Sequence, residues 1–125
     1  MRAITLALLL AAPAARADTS WAWGPGDLAL EATFAGVTTV DWLYTLEFTQ
    51  HRERYNGVTE WNPLLGKTPS RAKVNTLIPL AIVGHVAVAS ALPHGPLRTI
   101  WQAAWTYVEL DAVRANWAWG IRLRW

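Results

Sequence analysis

The sequence predicts an all-α protein, a three-helix transmembrane bundle behind an N-terminal signal peptide, and three observations predict it. Hydrophobic residues make up 53% of the chain and charged residues only 16%, whereas soluble domains carry about 25% charged residues. Three apolar segments, about 28–49, 74–92 and 97–119, each have the roughly 20 residues that cross a hydrocarbon core about 30 Å thick. Nine tryptophans supply the amphipathic rings that settle at membrane interfaces. Trp21 and Trp23 precede the first segment, Trp61 lies in the central loop, and Trp117, Trp119 and Trp125 close the chain. At 125 residues the chain has room for one domain.

The first element is the leader. Arg2 provides a short positive start, residues 3–12 an apolar run, and Ala15-Arg16-Ala17 a small-residue cleavage site, the pattern of a bacterial secretory signal peptide cut before Asp18. Cleavage leaves 18–125 as the membrane domain and removes Arg2 and Arg16, so the formal charge falls from +2 to 0. A nucleic-acid binder needs a net basic surface, so that class is excluded. The chain has no cysteine, which excludes disulfides, thiolate metal sites and cysteine nucleophiles.

In the first segment Glu31, Thr38, Asp41 and Thr45 share one helical face, and Ala32 with Gly36 forms a small-xxx-small pair suited to close helix contact. Glu47 leaves that stripe and can pair with His51 one turn on. The connection that follows carries Arg52, Arg54, Lys67, Arg71 and Lys73, whereas the residues before the first segment carry no Lys or Arg once the leader is removed. The positive-inside rule therefore places the N-terminus outside and the long loop and C-terminus in the cytoplasm. A cleaved signal peptide delivers the same orientation independently. The expected address is the bacterial inner membrane.

Within the long connection Asn56-Gly57 signals a turn, and 60–66 combine Glu60, Trp61, Asn62, Pro63, Leu64, Leu65 and Gly66 in a way that predicts a compact hairpin at the membrane surface. Asn62 can brace a neighbouring backbone, with Trp61 and Leu64 dipping toward headgroups; a ligand contact by Glu60 and Asn62 is the alternative. The second segment starts at Ser70, a good N-cap, and stops at Pro93. Pro79 inside it frees a carbonyl near Asn75. The third segment stacks Gln102, Thr106, Glu109, Val113, Asn116 and Gly120 at alternating four- and three-residue steps. Asp111, partly neutralised by Arg114, opens a second polar face, so this helix either packs in an oligomer or complex or lies along the interface.

At about 1.5 Å per residue, Asp41, His85 and Glu109 fall within about 4 Å of their segment midpoints. Ionisable groups at that depth face a bundle interior or a watery cavity. Together with Asn116 they form an expected intramembrane polar cluster that fixes helix register, or else a proton relay or small-cation site. A divalent-metal site of Asp41, His85 and Glu109 would draw one ligand from each helix and lacks any tight local spacing. Ser90 and His94 can approach one another but have no nucleophile elbow or oxyanion motif beside them, so no catalytic set is expected. No cofactor is expected.

Asp41 and Thr45 in an early helix, followed by Glu60, Asn62 and Pro63 in the next loop, resemble the Asp-x3-Thr and Glu-x-Asn-Pro pattern of a group of small bacterial membrane proteins. The resemblance covers roughly 28–95 and implies a multi-helix membrane fold without an assigned activity. The functional expectation is an accessory or assembly subunit whose partners are the lipid bilayer and another membrane protein or a second copy. Proton or small-ion handling is the alternative. A holin-like pore former shares the three-span plan but ends in a longer charged tail and needs no cleaved signal. The alternating tail Trp117, Trp119, Ile121, Leu123 and Trp125 would suit an outer-membrane strand, although a barrel needs at least eight.

Overall fold

The computed structural model describes residues 21–124; the leader and its cleavage site lie outside them. Within those residues the chain is all-helical, with no strand: α1 spans Pro25–Gln50, α2 spans Arg71–Ala91 and α3 spans Pro96–Ala118, with a 3-10 turn at Arg52–Arg54. Each α-helix lies within three residues of its expected place. The tail at 121–124 is irregular, so the alternating apolar pattern there builds no strand.

Local chemistry sets each boundary. Pro25 takes the first position of α1, where its missing N–H costs nothing, and the Asp27 carboxylate accepts the Gly24 N–H at 3.0 Å. Ser70 caps α2, its hydroxyl accepting the Lys73 N–H at 3.2 Å. Pro93 holds the preceding Leu92 in an extended conformation, ψ 140°, and ends α2. Gly95, at φ 130°, makes the sharp reversal into α3. At the far end of α3 Gly120 adopts φ 79°, its N–H reaching the Trp117 carbonyl while Ile121 N–H reaches Asn116. These two bonds form a Schellman cap, so Gly120 terminates the helix and does not continue its polar face.

The helices run antiparallel in sequence, which leaves α1 and α3 parallel, and α3 packs far more extensively on α1 than on α2. The α1–α3 seam is polar for most of its length. Asp27, Glu31, Thr38 and Thr45 of α1 and Arg98, Gln102 and Thr106 of α3 are all buried. Apolar packing is concentrated at the loop end, where Ile121 seats against Tyr44 and Phe48, and Leu65 of the central loop against Val74 and Ile78. Ala32 and Gly36 lie on the opposite, exposed side of α1, and a Cβ on Gly36 would meet nothing within 4 Å. The small-residue pair therefore makes no helix contact inside one chain.

Outward the pattern inverts. Leu80, Val83, Leu97, Ile100, Tyr107 and Val108 are all more than half exposed, with relative exposures from 51% to 64%. Water-soluble folds turn such side chains inward and ionisable ones outward.

Candidate functional site

Two polar centres occupy the bundle. The first joins the N-terminal ends of α1 and α3 to the end of α2. Arg98, fully buried, donates to the Asp27 carboxylate at 3.1 Å, to the Ala22 carbonyl at 3.1 Å, and to the carbonyls of Leu92 and Trp21. Its guanidinium also sits 5.3 Å from the centre of the Trp23 ring. His94 Nδ1 is 2.7 Å from the same Asp27 oxygen. Burial raises the Asp27 carboxyl, but the Gly24 N–H, His94 and Arg98 outweigh it and hold the group below the ordinary carboxylate value. His94 is thus committed to Asp27, and no Ser90–His94 nucleophile arrangement is formed.

One turn deeper, His85 Nδ1 lies 2.7 Å from Glu31 Oε1, and Gln102 donates at 2.9 Å to the other Glu31 oxygen and at 3.0 Å to the Asp27 carbonyl. The imidazole stacks on Phe34 with ring centroids 3.7 Å apart and faces Trp101 at 5.3 Å. His85 Nε2 is buried and has no hydrogen-bond partner among the described residues.

The second centre lies nearer the loop. Asn116 donates to Asp41 at 2.8 Å, and Asp41 and Glu109 both line a cavity of about 40 Å³ together with Thr38, Asn62, Leu77 and Ile78. The Thr38 hydroxyl is buried there, with the Glu109 carboxyl as its neighbour. A larger groove of about 810 Å³ adjoins this recess between α2 and α3, where those helices make few contacts. Asp41, His85, Glu109 and Asn116 all line the groove. Of the expected cluster, then, Asp41 and Asn116 are bonded, Glu109 shares their recess, and His85 is held apart by Glu31.

The divalent-metal set of Asp41, His85 and Glu109 is not assembled as a group. No group of three or more His, Asp or Glu residues among the described ones is disposed to hold a metal ion. Asp41 and Glu109 share the recess, whereas His85 stands apart from them with its Nδ1 against Glu31.

The Glu-x-Asn-Pro loop is a folded turn at the groove mouth. Glu60 Oε1 accepts the N–H groups of Trp61 at 2.9 Å and Asn62 at 2.8 Å, and the Asn62 side chain accepts the Leu64 N–H at 3.0 Å. Asn62 and Pro63 line the groove, and Trp61 packs on Trp119 with ring centroids 6.0 Å apart. Below, Glu47 gathers Arg54 at 3.3 Å, the Tyr55 hydroxyl at 3.1 Å and, at 3.9 Å, the expected His51. Burial and the Glu47 carboxylate raise the Tyr55 phenol above its ordinary value.

Sequence reasoning missed Asp27, His94 and Arg98 as a unit, and it placed Glu31 on the polar face without its partner. A signal was present: Asp27 extends the α1 stripe by one turn above Glu31, and Arg98 extends the α3 stripe by one turn above Gln102. No protein-family model, curated protein or solved structure matches the chain.

Proposed function

We propose that the chain is a small integral membrane protein acting as an accessory or assembly subunit, with its polar spine turned inward and its apolar faces turned to lipid. The observation that carries this reading is the inverted burial. Charged and polar groups fill the α1–α3 seam while large apolar side chains cover most of the outside, with Asp111 and Arg114 of α3 as exposed exceptions. Helix α2 is long and apolar enough to cross a membrane, and only 22% of its apolar window is buried within the chain, unlike a soluble core helix. Helices α1 and α3 carry more ionisable groups: Glu31 is paired inside with His85, as a group at membrane depth requires, Asp27 and Arg98 pair at the outer boundary, and Asp111 and Arg114 of α3 stay exposed.

An accessory role follows from what remains uncovered. The face of α1 holding Ala32 and Gly36 lets another helix approach closely, and no residue of its own chain occupies it. Proton handling has support in the Glu31–His85 pair, yet the outer end of the spine is closed by the fully buried Arg98 guanidinium bonded to Asp27. The inner-membrane address and the outward N-terminus rest on the loop charges and the leader.

Two measurements test the reading. Native membranes washed with alkaline carbonate should retain the chain; its release would overturn membrane insertion. Because the chain has no cysteine, Gly36→Cys gives a single reactive thiol, which should form a disulfide or cross-link to a neighbouring helix, whereas Thr99→Cys at the end of α3 should not. Equal cross-linking at both positions would overturn the assignment of that face.

A further inference from the structure

The outward face of α3 carries the two charged groups that inverted burial leaves unexplained. Asp111 and Arg114 are exposed and form no ion pair with any described residue, whereas Asp27, Glu31, Glu47 and Glu53 all do. Measured from the middle of α3 at about 1.5 Å per residue, Asp111 lies about 6 Å and Arg114 about 11 Å toward the loop end. Both levels fall inside the half-thickness of the hydrocarbon, about 15 Å. The Arg114 stem is long enough to carry its guanidinium toward the interface. The Asp111 carboxyl hangs on a single methylene and stays at its depth, where an ionisable group requires a polar partner. It points about 160° around the axis from Glu109, so it belongs to a different face from the Asp41–Glu109 recess.

The two charges are arranged so that a copy of the same helix complements them. Asp111 and Arg114 stand about 60° apart around the axis and about 4.5 Å apart along it, so they flank the line through Tyr107 and Ala118, both exposed. Two copies inserted the same way can pair these faces only in parallel, about a twofold axis along the membrane normal. Such an axis sets one flank of a helix against the opposite flank of its copy. Asp111 of each copy would then meet Arg114 of the other, twice over, across an offset that an arginine side chain spans. The four charges close on one another and leave the lipid, whereas a pair formed within one helix would still stand in hydrocarbon. An unrelated helix would need both charges in the matching order, which a second copy has by construction. At a crossing angle of about 40°, one of the two common between membrane helices, the copies diverge toward the outer end and leave Ile100 against lipid.

We infer that the chain forms a parallel homodimer through residues 107–118 of α3, closed by reciprocal pairs between Asp111 of one copy and Arg114 of the other. The second copy is thereby one partner within the accessory reading, on whose membrane insertion this dimer rests. Full chains carrying Asn56→Cys in the central loop, labelled with a donor or an acceptor dye and mixed in bilayers, should show energy transfer that survives further dilution with lipid. Asp111→Arg gives a face with two cations and Arg114→Asp a face with two anions, and each variant alone should lose about tenfold or more in association, because like charges are then juxtaposed. Mixing the two variants should restore association close to that of the native chain, and so should both exchanges made together in one chain. Such recovery separates a lost interface from a misfolded helix. Native chains that separate on dilution, single variants that associate as well as the native chain, or a mixture no better than either variant alone would overturn the inference. A chain retained by carbonate but monomeric defeats the dimer only, whereas release by carbonate defeats the membrane reading beneath it.

Discussion

The two polar centres use similar residues to opposite ends. At the outer end Asp27, Arg98 and His94 meet with opposite charges in contact, and the guanidinium spends its donors on the carboxylate and three carbonyls. Toward the loop, Asp41 and Glu109 share a recess that no Lys or Arg lines, with the Thr38 hydroxyl between them and an open groove beside them. A satisfied buried network rigidifies, whereas a partly satisfied one is retained at a cost to stability. The contrast teaches that one centre ties all three helices together, whereas the other holds its carboxyls without an opposing charge.

The sharpest way to break that comparison is Arg98→Leu. It strands the Asp27 carboxylate and several carbonyls, and removing one partner of a buried ion pair costs about 3–5 kcal/mol. Unfolding by increasing dodecyl sulfate in mixed micelles should shift by that amount. A shift below about 1 kcal/mol would place the pair among ordinary exposed ion pairs. Next comes Glu31→Leu, which leaves His85 Nδ1 without its partner and reduces the Gln102 amide to its bond with the Asp27 carbonyl. Stranding a buried polar group costs about 1–3 kcal/mol, and the same titration reads the loss.

Acid should act on the outer centre. The Asp27 pKa is depressed from 3.8 in the folded chain, so its contribution is fully present above that unfolded value and is lost as pH falls through the lower folded value. Thermal melts followed by circular dichroism should lose stability below about pH 4, the ordinary carboxylate range, and Asp27→Asn should flatten that part of the profile. An unchanged slope in the variant would assign the acid sensitivity elsewhere. A smaller effect belongs to the α3 cap. Gly120→Ala forces a side chain into φ 79°, at about 1 kcal/mol, and should loosen the packing of Ile121 without touching either polar centre. Asp41→Asn should change stability least of all, because an amide can still meet Asn116 and no ion pair is broken.

Much of the fold was legible from period and punctuation. Ser70, Pro93 and the four- and three-residue steps from Gln102 to Asn116 mark helix ends and the buried face of α3, because capping and periodicity are local properties. The groove's principal residues were legible too, since Asp41, His85, Glu109 and Asn116 are polar interruptions in apolar segments. Their pairing was not. Glu31 meets His85 across 54 positions and Asp27 meets Arg98 across 71, and one sequence carries no record of which stripe faces which. Arg98 stands next to the Pro93–Pro96 turn, where a charge passes for part of a connection, although it lies one turn above Gln102 on the same face. The place of Glu60 was hidden for a different reason: its carboxylate folds back on its own loop, where an acid beside Asn-Pro reads equally well as a ligand contact.

The central claim is that lipid covers the outside of this bundle while its charges face inward. Single spin labels placed at Val83→Cys on α2 and Ile100→Cys on α3, in reconstituted bilayers, test it most directly by their collision rates with oxygen and with a water-soluble nickel chelate. Both labels should relax strongly with oxygen, which concentrates in hydrocarbon, and weakly with the chelate. Strong relaxation by the chelate at both sites would mean that water covers those faces, and the account would be wrong.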